Sequence, residues 1–151
     1  MARWGVTANK GAANVQGVMY AVAAAANMRR AKLYDWTLGC GASPADNAFI
    51  HVVQRATSTS LVGAAKTPNA LDQADTLAST IVVTDTVTTD GTLTAGAFVL
   101  RKALNQRATF RWVAAPYGEL FIPATANTGF MLGLSAASTT SFDYDLQFEE
   151  Y

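Results

Sequence analysis

The residue types that most often carry out catalysis or bind metals are scarce in this chain, which has one histidine and one cysteine. A metal site or a histidine-dependent triad would need compatible partners, and none is spaced near His51. His51 lies in a segment rich in β-branched residues, so we interpret it as a strand histidine with a local hydrogen bond. Cys40 cannot form an intrachain disulfide, and we interpret it as a small buried apolar residue rather than a nucleophile.

Four aspartates in the middle of the chain raise the question of a calcium site. A compact calcium loop places its oxygen ligands at every second position around a glycine. These aspartates do not have that spacing, so we expect solvated loop carboxylates at Asp72, Asp75, Asp85 and Asp90. The sequence also lacks a glycine-rich phosphate loop and a nucleophile elbow. We therefore expect no enzymatic activity, no cofactor and no metal.

The charged residues are few and unevenly distributed. They make up 15% of the chain, against about 25% in a typical globular protein, which favours a surface covered by other subunits over that of a sticky monomer. Five basic residues and no acid precede Asp35, and four acids and no base follow Ser141: Arg3, Lys10, Arg29, Arg30 and Lys32, then Asp143, Asp145, Glu149 and Glu150. We interpret the basic end as a docking arm for an acidic protein surface, or for the acidic end of a neighbouring copy. The alternative, a nucleic-acid arm, lacks a dense basic cluster, so we expect no nucleic-acid partner.

Residues 1–17 show no sustained period, and we predict that they form an extended N-terminal arm. Trp4 beside Arg3 suits an anchor in a pocket on a partner, because buried Trp and Arg often dominate interface energetics. Packing of Trp4 onto its own domain is an equally open alternative. The predicted partner-binding residues are Arg3, Trp4, Lys10, Arg29 and Arg30.

Residues 18–26 form an alanine-rich apolar run that is similar to part of a secretory signal. Gln16 and Gly17 interrupt the apolar sequence just before this run. The run is also shorter than the roughly 20 residues needed to cross a bilayer. We therefore expect no signal segment and no membrane partner. Alanine favours a helix, which would here be a turn or two long, but we predict a strand that begins a sandwich.

The remaining sequence predicts an all-β domain at residues 18–151. Phe142, Tyr144, Leu146 and Phe148 alternate with polar residues, which is the period of a strand with one buried face. Further strands are predicted at 30–38, 47–57, 81–87, 92–100, 109–113, 119–122 and 129–134. The short connections near the end of the chain leave no room for helices, so we expect antiparallel sheets. Eight or nine strands are typical of a jelly roll or a related β-sandwich.

Two local features are predicted between these strands. The polar connection 58–80 contains a capped helical turn at residues 67–72, with Thr67 at the cap and Pro68 at the first position. The pair Asp90-Gly91 is a strong signal for a hairpin turn between the strands at 81–87 and 92–100.

Several strings in the sequence resemble those of a known family. They are Gln54-Arg55, Thr67-Pro68-Asn69-Ala70-Leu71-Asp72, the runs 104–116 and 118–129, and a terminal Phe-Glu-Glu. They are similar to strings in a group of small virion proteins encoded in the structural gene blocks of tailed bacteriophages. The resemblance implies a jelly-roll sandwich that is made in the host cytoplasm and forms a homotrimer. It also implies binding to the major capsid protein at three-fold positions on the exterior of the virion, as a decoration, or cement, protein that stabilises the shell.

A receptor- or carbohydrate-binding module of a phage tail or fibre is the second hypothesis, because jelly rolls also serve as lectin-like domains. Trp36, Trp112 or Tyr117 would then line a sugar platform, although core packing explains their spacing equally well. A small-molecule enzyme is a distant third. If the arm hypothesis is right, removal of residues 1–17 leaves a folded trimer that no longer binds shells.

Overall fold

The protein is built from β-strands throughout the residues that the structure describes. The computed structural model describes residues 2–26, 29–41, 45–75 and 78–151. Its strands are β1 (Ala2–Lys10), β2 (Val15–Ala23), β3 (Ala31–Cys40), β4 (Ala48–Thr57), β5 (Val62–Lys66), β6 (Asn69–Ala70), β7 (Ile81–Thr89), β8 (Thr92–Asn105), β9 (Phe110–Val113), β10 (Leu120–Ile122), β11 (Thr128–Ser138) and β12 (Phe142–Glu150). Within those four ranges, no helix is present that is long and apolar enough to cross a membrane.

The strands form two antiparallel sheets that pack against each other, which confirms the predicted all-β sandwich. Sheet A has the order β10-β3-β12-β1-β6, with β9 also paired to β3, and sheet B has the order β5-β7-β2-β11-β4-β8. The first four strands alternate between the sheets, and each pairs with a strand from later in the chain. These pairs are β1 with β12, β2 with β11, β3 with β9 and β10, and β4 with β8.

The main core lies between the two sheets. The four apolar residues of β12 are buried as predicted, at 1% exposure or less. They pack with Leu33 and Trp36 of sheet A and with Val53 and Leu132 of sheet B. Burial contributes roughly 1.5–3 kcal/mol for each large apolar side chain before conformational entropy is counted. A shift of β12 by one residue would expose all four, so the core fixes its register.

The prediction of an N-terminal arm is wrong. Residues 2–10 form β1, which pairs with β12 along its whole length and lies inside sheet A between β12 and β6. The period of two is present in the sequence, but the small residues Ala2, Gly5 and Ala8 weaken its hydrophobic signal. The predicted boundary between residues 17 and 18 falls inside β2. Removal of residues 1–17 therefore deletes a core strand rather than a tether.

Strand β2 confirms the strand predicted after residue 17, as far as Ala23. Both of its faces are buried. Ala21 joins the main core, whereas Tyr20 joins a second apolar cluster with Val52, Val87 and Met131. Successive side chains of a strand point to opposite faces. This second cluster therefore lies on the side of sheet B that faces away from sheet A. Leu61 and Val87, from the chain between β4 and β8, pack there.

The predicted helical turn at residues 67–72 is also wrong. Asn69 and Ala70 form β6, which pairs with Gly5 and Trp4 of β1. The residue types at 67–72 favour a capped helix, but the open edge of β1 offers hydrogen-bond partners to their backbone groups. Asn69 and Ala70 therefore extend along β1 as a strand.

Strands β7 and β8 do not form the predicted hairpin, because they pair with β2 and β4 at different places in sheet B. Their connection instead crosses the sheet. The Asp90 carboxylate accepts hydrogen bonds from the backbone N–H groups of Gln16 at 2.9 Å and Gly17 at 2.8 Å, and from the Tyr20 hydroxyl at 3.0 Å. A Cβ atom on Gly91 would lie 2.3 Å from the carbonyl oxygen of Thr57, so the crossing requires glycine there.

Candidate interaction surface

The basic residues near the start of the chain lie beside the acids at its end. Strands β1 and β3 flank β12, which places Glu149 between Arg3 and Lys32. The Nε atom of Arg3 lies 3.4 Å from Oε2 of Glu149. The acidic partner expected for the basic end is therefore supplied in part by the same chain.

Glu150 is a buried anchor at this end of the sandwich. Its carboxylate accepts hydrogen bonds from the Ser79 hydroxyl at 2.5 Å and from the Thr80 backbone N–H and hydroxyl, each at 3.0 Å. It also lies 3.2 Å from Nη2 of Arg29. A buried carboxylate is tolerated when it is paired and hydrogen-bonded in this way. Arg29, one of the predicted partner-binding residues, is thus engaged within the fold.

Arg30 and Lys32 form a partly exposed cluster with two aromatic residues, which we call the basic-aromatic cluster (Arg30, Lys32, Phe121 and Tyr151). The guanidinium carbon of Arg30 lies 5.3 Å from the centroid of the Phe121 ring, and Nζ of Lys32 lies 4.7 Å from that of Tyr151. Such cation–π contacts contribute about 0.5–1 kcal/mol at exposed sites. Among the described residues no carboxylate pairs with either cation, so both charges are available to a partner.

A groove of about 260 Å³ adjoins the basic-aromatic cluster and is lined by Arg3, Lys32, Tyr34, Glu119 and Glu149. Burial raises the pKa of the Tyr34 hydroxyl, which therefore stays protonated at neutral pH. The groove carries two cations and two anions, of which Arg3 and Glu149 form an ion pair. It suits a polar protein surface better than an apolar ligand.

Two of the five predicted partner-binding residues are buried. Trp4 is 3% exposed and packs in the main core, so the alternative in which it packs onto its own domain is correct. Lys10 is fully buried, and its Nζ donates hydrogen bonds to the carbonyl oxygens of Gly11 at 3.2 Å, Ala13 at 2.8 Å and Ser138. Burial lowers the pKa of Lys10. Lys10 thus ties the turn after β1 to the end of β11, and neither residue is accessible to a partner.

His51 is a hydrogen-bonded strand histidine in β4, as predicted. The Trp36 indole N–H donates to Nε2 at 3.2 Å, so the proton of the neutral ring is on Nδ1. Nδ1 lies 3.0 Å from the carbonyl oxygen of Gly133 and 2.9 Å from the hydroxyl of Tyr144. Burial lowers the pKa of His51 to about 4. The neutral ring therefore connects sheet B to β3 and β12 of sheet A.

The aromatic residues considered for a sugar platform are not arranged as one. Trp36 is 1% exposed, and its ring stacks on that of Trp112 with centroids 4.0 Å apart. Tyr117 is 98% exposed and lies apart in a turn, with a φ of 66°. The two tryptophans therefore serve core packing.

Cys40 is half-buried and packs against the edge of the main core. Its thiol donates to the carbonyl oxygen of Ser141 at 3.5 Å. Burial raises the pKa of Cys40, which keeps the side chain in the thiol form, the weaker nucleophile.

The expectation of solvated loop aspartates is wrong for Asp90, whose carboxylate accepts three hydrogen bonds from β2, and for Asp85. This residue lies in β7 and is fully buried, accepts a hydrogen bond from the Asn9 backbone N–H at 3.1 Å, and lies 3.3 Å from Nζ of Lys66. Asp72 is exposed, and its carboxylate accepts from the Ala74 backbone N–H at 2.9 Å. In the part of the chain that the structure describes, no group of three or more His, Cys, Asp or Glu side chains is placed to hold a metal ion.

The fold and this surface define an all-β sandwich with an exposed basic-aromatic cluster at one end. In comparisons with protein-family models, curated proteins and solved structures, the chain has no significant match.

Proposed function

We propose that this protein is a structural virion protein that decorates the outer surface of a bacteriophage head at three-fold positions and stabilises the shell. The observation that carries the proposal is the order of strand pairing. The first four strands pair in reverse order with later strands, from β1 with β12 to β4 with β8. A long antiparallel ribbon folded into two sheets would have this pairing order, which supports a jelly roll.

A jelly roll by itself does not define a function, and the strings that resemble phage virion proteins provide the link. The run 104–116 covers the end of β8, the following turn and β9, and the run 118–129 covers β10 and the start of β11. These elements pair with β3, β4 and β2. The strings that resemble the virion proteins therefore form strands of the second half of the chain that pair with strands of the first half.

The basic-aromatic cluster is the surface that we assign to the major capsid protein. Arg30 and Lys32 carry unpaired charge there, and Tyr151 is 44% exposed. An icosahedral shell presents many equivalent sites. A homotrimer that offers three copies of one weak surface is retained far more strongly than a single copy, because the second and third contacts form at a high effective concentration.

The observed packing favours this function over a carbohydrate-binding module. Trp36 is buried and stacks on Trp112, which is half-buried, whereas sugar platforms present aromatic faces to solvent. A tail or fibre module is the competing hypothesis, and the position of the protein on the phage particle distinguishes the two.

The variant Arg30→Gln/Lys32→Gln tests the assignment in a co-sedimentation assay with phage shells that lack the protein. We expect it to bind shells at least about tenfold more weakly, a loss of about 1.4 kcal/mol. The matched control is Arg55→Gln/Arg107→Gln, which removes the same charge elsewhere and should bind normally. Equal binding of the two folded variants would contradict the assignment of the surface, and failure of the wild-type protein to bind any shell would contradict the function.

A further inference from the structure

Charges without an opposite partner are segregated on the surface of this protein. Arg55, Arg101 and Lys102 lie on the paired strands β4 and β8. Among the residues that the structure describes, no Asp or Glu pairs with any of the three. This edge of sheet B therefore carries a net positive charge.

Strand β8 is also an open edge. It is 14 residues long and, among the described strands, pairs with β4 alone. Phe98 is 40% exposed and Val99 is 38% exposed. The guanidinium carbon of Arg101 lies 5.8 Å from the centroid of the Phe98 ring. A long edge with exposed apolar side chains associates with other chains unless something covers it. We call Phe98, Val99, Arg101 and Lys102 the β8 surface.

Unpaired negative charge lies on the outer face of sheet A. Asp143 and Asp145 are exposed on β12 and accept hydrogen bonds from the Asn9 amide at 2.6 Å and from the Thr37 hydroxyl at 3.2 Å. No lysine or arginine of the described ranges pairs with either carboxylate. The two residues are two positions apart on one face, hence about 7 Å apart along the strand.

A groove of about 360 Å³ runs over this face, with Asp145 on its floor and Leu71 on its wall; we call it the sheet A groove. Leu71 is 51% exposed. Arg111 and Asp35 also line the groove, but they neutralise each other through two contacts, at 3.0 and 2.5 Å. The groove therefore combines an exposed apolar contact with net negative charge.

We propose that the β8 surface of one copy docks in the sheet A groove of a second copy. The Phe98 ring packs against Leu71, and Arg101, which lies beside Phe98, faces Asp145 and Asp143. Lys102, on the opposite face of the same open edge, adds positive charge to it. The two surfaces complement each other both in charge and in apolar character, which is the pattern expected of a specific interface.

The two surfaces are different, so the contact is head-to-tail. A head-to-tail contact forms a ring if the rotation between copies closes. The inference rests on the self-association in the proposed function and names the surfaces that produce it.

Charge reversal tests the contact by light scattering of the purified full chain in solution. Arg101→Glu/Lys102→Glu should weaken assembly at least about tenfold, which is about 1.4 kcal/mol, and so should Asp143→Lys/Asp145→Lys. The variant that carries all four changes restores the opposite charges and should assemble again. Arg30→Glu/Lys32→Glu, a matched reversal at the other surface, should assemble normally.

Assembly of Arg101→Glu/Lys102→Glu at wild-type strength would overturn the contact, as would a folded four-fold variant that stays dissociated. A wild-type protein that remains monomeric in solution yet binds shells would overturn it as well. The first two results leave the proposed function standing, and the third leaves the decoration of the shell standing but contradicts the homotrimer. An assembled protein that binds no shell contradicts the function and not the contact.

Discussion

At pH 7 the His51 imidazole is neutral and buried between the two sheets. A second proton has to be added at Nε2, the atom that accepts the Trp36 indole N–H. Protonation therefore breaks that hydrogen bond and leaves a charge inside the core. Of the groups that face the ring, Trp36, Phe110 and Tyr144 carry no charge. Lys102 is opposite His51 on β8, but its side chain is exposed to solvent.

The cost follows from the pKa. Burial lowers the pKa of His51 from 6.5 to about 4, and one pKa unit corresponds to about 1.4 kcal/mol, so protonation costs about 3 kcal/mol. Because the pKa is lower in the folded state, the unfolded chain binds the proton first as the pH falls. The contribution to stability is complete above about pH 6.5, is lost progressively down to about pH 4, and does not decrease further below that.

Urea unfolding of the wild-type protein and of His51→Gln across that pH range measures the effect. Glutamine does not titrate, so the variant is expected to be less stable at pH 7 but to lose about 3 kcal/mol less on acidification. The acidic residues are the same in both proteins, and the difference between them isolates His51. Parallel loss of stability in the two proteins would refute the reasoning, as would an NMR titration of the folded protein in which His51 titrates at its ordinary pKa.

Two further pairs of variants test the packing and the buried anion. Gly129→Ala places a Cβ atom 2.0 Å from the Ala21 carbonyl oxygen and should destabilise the protein by about 3 kcal/mol in urea unfolding. Gly39→Ala meets no atom of the described ranges within 4 Å and should change stability by less than about 0.5 kcal/mol; similar losses would contradict the close approach of β11 and β2. Glu150→Gln breaks the buried pair with Arg29 and should cost about 3 kcal/mol, whereas Glu149→Gln, whose partner Arg3 is 66% exposed, should cost less than about 1 kcal/mol. A smaller effect at Glu150 than at Glu149 would show that the buried carboxylate is not an anchor.

The long strands of this fold are predictable because large apolar side chains alternate along them, as in β12. Strand β1 has the same period. Because Ala2 and Ala8 are small and bury little apolar area, the hydrophobic alternation is weak, and the sequence predicts an arm instead of a strand. Strand β5 leaves all of its residues exposed. It is held by backbone pairing with β7, and side-chain patterns carry no signal for such a strand.

The candidate surface was predictable only in its parts. The sequence identifies a basic start and an acidic end, but Arg3 and Glu149 are 146 positions apart. Their pairing depends on β1 lying beside β12. The sequence predicts Lys10 as a partner-binding residue and places Glu150 at the acidic end of the chain, and the structure buries both. Both occupy positions of the alternating strand pattern whose side chains point into the core. That position is the one sequence signal that could have marked them as buried.

Imaging of the purified phage particle by electron cryo-microscopy tests the central proposal most directly. We predict density that fits this sandwich at the three-fold positions of the head exterior, with its basic-aromatic cluster facing the capsid protein and with many copies on each particle. Density for the protein at the tail or fibre alone would contradict the proposal.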